Sequence, residues 1–224
     1  MMNSKLLFQA LSKFCLGLVV IGLLLFLPAG TFQFWNGWLL IGILFVPMFF
    51  LGIILLFKAP GLLAKRLNTK ENENEQKQVV LLSFVMFMAG FIVSGLDFRF
   101  GWSHLSSYVV IFSAILLLAS YGMYAEVMRE NAYLSRTVEV QENQQVVDTG
   151  LYGIIRHPMY TATVILFLSM PLVLGSIPAF IIFLIYPFVL VKRIRNEEQI
   201  LEQELSGYKE YTKKVRYRLI PFIW

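Results

Sequence analysis

The sequence is poor in the residues from which metal sites and soluble domains are built. It has one cysteine, Cys15, set in an apolar run, and two histidines, His104 and His157. One cysteine excludes an intrachain disulfide and argues against a cysteine-based metal site. Two histidines are too few for a histidine cluster, so no metal is expected. Charge is also scarce: 15% of residues are charged and 58% hydrophobic, with a mean hydropathy of +0.68. Soluble domains carry roughly 25% charged residues, so the composition is that of an integral membrane protein with small polar parts. The net charge of +5 does not describe a nucleic-acid groove, because the basic residues follow the membrane pattern set out next. No Ala-x-Ala site follows the first apolar run, which reads as a retained span rather than a cleaved signal.

Long apolar runs are what the chain has in abundance. Leu6–Leu27, Phe34–Phe57, Val79–Leu96 and Tyr108–Ala125 each approach or exceed the ~18 residues of a candidate span. Residues 160–191 then run on without one charge. As a single helix this stretch would reach about 48 Å, well past a hydrocarbon core of about 30 Å. Pro171, Gly175, Ser176 and Pro178 lie in its middle, where a turn is cheap. The expected architecture is therefore all-α: a multi-pass helical bundle of four spans plus a C-terminal helix-turn-helix hairpin, with a small cytoplasmic part. Alternating spans put eighteen of the 19 Lys and Arg residues on one side, leaving Arg99 opposite. The excess of Lys and Arg marks the cytoplasmic side, so both termini are expected there. Thr69–Gln78 reads as a solvated charged connector. Trp35, Trp38 and Trp102 read as interfacial anchors, and Asp97, Arg99 and His104 as loop anchors on the far side.

Three polar clusters stand at the cytoplasmic ends of these spans. Residues 136–152, RTVEVQENQQVVDTGLY, show strand-like alternation at Thr137–Val140 and a turn at Asp148–Gly150; alone, this is an ordinary interspan loop. In RHPMY, Arg156–Tyr160, Pro158 suits the first turn of a helix, whose unpaired amides and positive dipole end can hold an anion. Alone, Arg156 reads as reaching to headgroups and His157 as a cap. In VKRIRNEEQILEQEL, residues 191–205, Arg193 and Glu197 are four apart and share a helical face. A hairpin returns its second end to the level of its entry, so Glu197 and His157 are expected to face one cavity.

Taken together, GLYGIIRHPMY (residues 150–160), the hydrophobic hairpin after it and RNEEQIL (residues 195–201) resemble the isoprenylcysteine carboxyl methyltransferase family and its phospholipid methyltransferase relatives. The likeness covers roughly residues 129–224. GLDFRFGWS (95–103) and RENAYLSRTVEVQ (129–141) resemble its bacterial branch, which implies a bacterial cell membrane. Two positions depart from the family pattern: Leu151 stands where a proline is favoured, and Ala162 where a glycine is favoured. Neither removes a polar group.

The resemblance implies a membrane methyltransferase using S-adenosyl-L-methionine, with residues 1–128 as N-terminal spans and 129–224, including the hairpin 160–191, as the cofactor-binding region. It implies cofactor contacts from Gln144, Gln145, Val146 and Val147, with Gln141 beside them, and from Tyr152, His157, Pro158, Met159, Tyr160 and Glu197. Arg193 corresponds to the substrate-contacting arginine. A carboxylate suits the cofactor's ammonium, helix-start amides its carboxylate, and tyrosine faces its adenine or sulfonium methyl. The implied partners are the lipid bilayer and a lipophilic small-molecule or prenylated acceptor. A carboxylate acceptor is already nucleophilic, whereas an amine acceptor would need a base, for which Glu198 is the candidate. Phospholipid N-methylation, a nicotinamide-dependent membrane reductase of similar architecture, and a transporter or scaffold are the rival readings. Against the last, the spans hold almost no ionisable residues at mid-depth. The basic, aromatic tail, residues 207–224, is expected against headgroups with Ile220, Phe222 and Trp224 dipping in, or as a lid over the cofactor.

Overall fold

The structure is a computed structural model that describes residues 4–67, 74–134 and 140–224. The strand-like alternation at Thr137–Val140 falls almost wholly outside these residues, as does the first part of the charged connector. Every regular element among the described residues is helical.

Helices α1 (Ser4–Ala29), α2 (Trp35–Lys58), α4 (Asn74–Phe100) and α5 (Ser107–Glu130) are the four expected spans. The short α3 (Pro60–Leu67) follows α2 in a stretch read from sequence only as a basic loop. The connector's second part, from Asn74, is the first turns of α4; the absence of Pro and Gly there lets the helix extend beyond its apolar stretch.

The apolar run of residues 160–191 is bent as expected, with unequal legs. Helix α6 (Pro158–Val173) is the first leg. At about 1.5 Å per residue its 16 residues reach about 24 Å. Gly175 turns the chain at φ +78°, a backbone conformation that suits glycine. Ser176 caps the next helix, its side chain accepting from the Ala179 amide at 3.2 Å. Helices α7 (Ile177–Phe183) and α8 (Tyr186–Glu204) form the longer second leg, with a break just before Pro187. The polar residues beyond Val191 continue the helix, which carries Arg193 and Glu197 out of the apolar zone. A last helix, α9 (Tyr208–Lys214), precedes an irregular tail. Among the described residues, five segments are long and apolar enough to cross a membrane, the fifth being Ile177–Glu204. Large apolar side chains such as Phe8, Phe112 and Phe188 are more than half exposed, as lipid-facing side chains are in such a bundle. The protein is an integral membrane protein by this length and composition.

The core lies where α1, α2, α4, α5 and the hairpin meet. Phe183 is fully buried, with Phe87 edge-on at 5.3 Å and Phe91 at 6.0 Å between ring centroids. Phe87 in turn meets Phe167 edge-on at 4.5 Å, within the range that favours aromatic pairs. Glycine makes this approach feasible: a Cβ on Gly90 would lie 2.2 Å from the Phe183 ring, and one on Gly95 would lie 2.5 Å from the Leu25 carbonyl oxygen of α1.

At the end away from the chain termini, Asn36 Nδ2 donates to the Val173 carbonyl at 2.7 Å and the Ile177 amide to Ser103 Oγ at 3.1 Å. Asp97 is buried and holds the turn after α4: its carboxylate accepts from the Ser103 amide and its carbonyl from Gly101, both at 2.7 Å. This is the anchoring role expected of Asp97. Trp35, Trp38 and Trp102 stand exposed at the same end.

Gly95→Ala is expected to lower the thermal unfolding midpoint of the detergent-solubilised protein, by the ~1–3 kcal/mol of an overpacked core. Gly42→Ala, whose new methyl meets nothing within 4 Å, is expected to leave the midpoint unchanged.

Candidate functional site

The two polar ends of the hairpin meet. Arg156 and His157 precede α6, and Glu197 and Glu198 lie on α8. Where the sequence paired His157 with Glu197, the structure pairs it with the next residue. His157 Nε2 lies 3.2 Å from Glu198 Oε1. Arg156 Nε lies 2.8 Å from the same oxygen as an ionic contact without hydrogen-bond alignment. Arg218 Nε donates to Glu198 Oε2 at 2.6 Å. Glu198 is 4% exposed, Arg156 8% and His157 6%. Arg156 therefore does not reach to headgroups, and Glu198 is neither solvated nor an uncommitted base. A buried carboxylate is tolerated where cations face it, and here the start of α6 supplies Arg156 and the tail Arg218.

Glu197 sits one position round the helix, about 100° away, and faces a different group. Tyr160 Oη donates to Glu197 Oε2 and accepts from Arg193 Nε at 2.9 Å. The hydroxyl thus bridges the cation and the carboxylate that the i, i+4 spacing had put on one face. The His157 and Tyr160 rings stack at 5.7 Å between centroids.

Around these residues is a cleft with about 880 Å³ of non-atom space, its open mouth included. His157, Met159, Tyr160, Arg193 and Glu197 line it on the hairpin side. Gln144, Gln145, Val146, Val147 and Tyr152 line it from the preceding loop. Ten of the twelve residues singled out from sequence are thereby brought to one cavity. Pro158 and Gln141 are not in the wall. Pro158 is buried as the first residue of α6. The Gln141 side chain is spent behind the wall, donating to the Tyr133 carbonyl and accepting from Lys65 Nζ, while its backbone amide donates to Gln144 Oε1 at 2.9 Å.

The helix-start amides are fewer than the sequence suggested. Pro158 has no N–H, and the Tyr160 and Thr161 amides already donate to the His157 carbonyl at 3.0 and 3.2 Å. Met159 is the remaining first-turn donor.

The turn before the motif is pinned at several points. Gly150 has φ +53°, and the Thr149 hydroxyl donates to Glu130 Oε2 at 2.7 Å. Gly150–Gly153 forms one 3-10 turn that buries Tyr152. Asn131 Nδ2 donates to the Tyr152 hydroxyl at 3.0 Å, and the Tyr211 hydroxyl to the Tyr152 carbonyl at 2.7 Å. Burial is the main cause that pushes the Tyr152 phenol up to about 12, so it stays a neutral hydroxyl. On the exposed side, Lys214 Nζ meets Asp148 Oδ2 at 2.6 Å and holds that carboxyl below its ordinary range.

The tail braces the start of α6. The Arg156 amide donates to the Tyr217 carbonyl and the His157 amide to the Arg218 carbonyl, each at 2.9 Å. Thr161 Oγ1 donates to the Leu219 carbonyl at 2.7 Å. Leu219 is buried and Trp224 packs on the core, with the Arg218 guanidinium over its ring at 5.4 Å. Ile220, Phe222 and Ile223 remain exposed.

Several lining residues were not anticipated. Ile200, Leu201 and Leu205 continue the Glu197 face of α8, and Tyr208 and Tyr211 extend it through α9. The buried spacing 205, 208, 211, 215, 219 is a helical apolar stripe that the tail's basic residues mask. Arg66 of α3 donates to Tyr124 Oη at 3.0 Å and contacts Met159 Sδ at 3.6 Å; its sequence neighbourhood carries no signal for this. Among the described residues no group of three or more His, Cys, Asp or Glu is placed to hold a metal ion.

Glu198→Ala would leave Arg156 buried without its carboxylate. It is expected to cost about 3–5 kcal/mol of stability, read as a large drop in thermal midpoint. Glu202→Ala, on an exposed position of the same helix, is the control expected to change nothing.

Comparison with known proteins adds two findings about the chain. Over 91 residues it is 32% identical to the Delta(14)-sterol reductase TM7SF2 of Mus musculus, which is 39% of this chain and 22% of that protein. The chain thus spans about a fifth of the length of that curated relative. Residues 108–203 match the family model described as the isoprenylcysteine carboxyl methyltransferase (ICMT) family. That segment, 96 of the 224 residues, runs from α5 through both ends of the hairpin.

Proposed function

We propose that the protein is an S-adenosylmethionine-dependent methyltransferase that acts in the membrane on a lipophilic acceptor whose methyl-accepting group is a carboxylate, as in isoprenylcysteine carboxyl O-methylation. The observation that carries this reading is the Arg193–Tyr160–Glu197 bridge in the wall of one cleft, within the segment matched to a methyltransferase family.

The donor set fits the cofactor. Glu197 offers a carboxylate to its ammonium. Gln144 and Gln145 carry amides that both give and accept hydrogen bonds, as adenine and ribose require. Tyr152 and Val147 supply apolar surface, and a tyrosine face attracts a cation such as a sulfonium. When bound, S-adenosylmethionine supplies an electrophilic methyl group.

The protein's own part is alignment and exclusion of water. Tyr160 orients Glu197 and Arg193 relative to each other. Arg193 brings a permanent cation to the cleft, suited to an anionic acceptor. The commitment of Glu198 to two guanidinium groups and an imidazole favours a carboxylate acceptor over an amine, since the latter must first lose a proton to an available base. The bundle offers lipid-facing surface on the same helices, in keeping with a lipophilic or prenylated acceptor. In this reading residues 129–224 hold the cofactor and residues 1–128 form the membrane support, in a bacterial cell membrane with both termini cytoplasmic.

The sterol reductase relative favours a second reading, reduction with a nicotinamide cofactor. Thermal stabilisation of the purified protein separates the two: S-adenosylhomocysteine is expected to raise the unfolding midpoint and NADPH is not. The reverse pattern would reject the methyltransferase reading.

Within that reading, Glu197→Gln is expected to weaken S-adenosylhomocysteine binding about tenfold, the weight of a charge-assisted hydrogen bond. Arg193→Ala is expected to spare that affinity and to lower turnover of a prenylcysteine analogue about 100-fold. Calorimetric titration and a methyl-transfer assay read the two arms. Unchanged affinity in Glu197→Gln, or lost affinity in Arg193→Ala, contradicts the corresponding role.

A further inference from the structure

Tyr208 lies on α9, outside the segment matched to the family. Its ring lines the cleft and the residue is only 4% exposed. Its hydroxyl is buried and has no hydrogen-bond partner among the described residues. Tyr211, one turn further on, provides an internal contrast. It lines the same cleft, is 5% exposed, and stands 5.6 Å from Tyr208 between ring centroids. Its hydroxyl is spent on the Tyr152 carbonyl. Two buried tyrosines on one wall thus differ in whether the last atom has a partner within the protein.

A buried polar group without a partner weakens the ligand-free fold. A phenylalanine would fill the same space without that cost. Such a group is explained where something outside the chain completes it, and here the cleft is the adjoining space. The hydroxyl is not a proton acceptor for chemistry. Burial first, and then the nearby Glu198 and Glu197 carboxylates, push its ionisation far up, and Arg156 is the cation that partly offsets them. It stays a neutral group that can give one hydrogen bond and accept others, set among charges of both signs.

That setting selects among the parts of a sulfonium nucleoside. Adenine and ribose are uncharged and gain nothing from neighbours of both signs. A zwitterion, carrying an ammonium and a carboxylate on one carbon, is complementary to them. We propose that the Tyr208 hydroxyl binds the amino-acid end of the sulfonium nucleoside, as a ligand-binding residue additional to those the motifs mark. The inference rests on the methyltransferase reading above.

The test uses the purified full-length protein in detergent, with S-adenosylhomocysteine and 5′-methylthioadenosine, which lacks the amino-acid end, as titrants. Tyr208→Phe is expected to bind S-adenosylhomocysteine about tenfold more weakly, the weight of one hydrogen bond, and methylthioadenosine as wild type does. Its ligand-free unfolding midpoint should equal or exceed that of wild type, whereas Tyr211→Phe should lower it. Wild-type affinity for S-adenosylhomocysteine in Tyr208→Phe would overturn the proposal, as would equal losses for both titrants or a lowered ligand-free midpoint. Failure of wild type itself to bind S-adenosylhomocysteine would reject the methyltransferase reading and this inference with it, a result distinguishable from failure at Tyr208 alone.

Discussion

A buried carboxylate flanked by two guanidinium groups and an imidazole organises the polar half of this protein. Glu198 on α8 meets Arg156 and His157 from the start of α6 and Arg218 from the tail. Neither Glu198 nor Arg156 could be buried alone, because an ion removed from water without a partner is strongly disfavoured. Their mutual dependence forces both ends of the hairpin and the tail into one place. Glu197, on the adjoining face of α8, is then turned toward the cleft. The adjacent acidic residues have separate tasks: one joins the elements together, the other faces the space they enclose.

The apolar half serves this arrangement from below. Gly90 and Gly95 let α4 approach Phe183 of the hairpin and the α1 backbone so closely that a side chain carbon would collide. Such packing holds the second leg against α4 along its length. The break before Pro187 lies well below the polar turns, so α8 carries Arg193, Glu197 and Glu198 as one rigid unit. Helix α3 joins the two halves of the chain at the cleft's edge. Lys65 reaches the Gln141 amide and Arg66 reaches Met159 and Tyr124.

Much of the fold was readable because it follows from one-dimensional quantities. Span number and position follow from runs of apolar residues, and the hairpin from a run too long for one crossing and too short for two full ones. Its turn at Gly175 and Ser176 is where small and rigid residues gather. The cleft was readable to the extent that motif residues are close in sequence to its rim. Gln141 and Pro158 mark the limit: both belong to the right segments, yet one side chain points behind the wall and the other into the helix packing. The tail's bracing role was not read because Lys and Arg dominate its composition, while its buried Leu205, Tyr208, Tyr211, Val215 and Leu219 are visible only by spacing.

By itself the sequence determined that this is a helical membrane protein, where its hairpin bends, and which short segments carry polar groups to the hairpin's ends. Those properties depend on hydrophobicity and local backbone preference, which each residue carries wherever it sits. Tertiary structure alone decided that His157 faces Glu198 rather than Glu197, that Arg156 is buried and Arg218 half-buried against that carboxylate, that Arg66 touches Met159 of the cleft wall, and that Tyr208 lines the cleft. These depend on a helix rotation of about 100° per residue and on which distant element fills the space opposite, and neither is encoded in any one stretch of the chain.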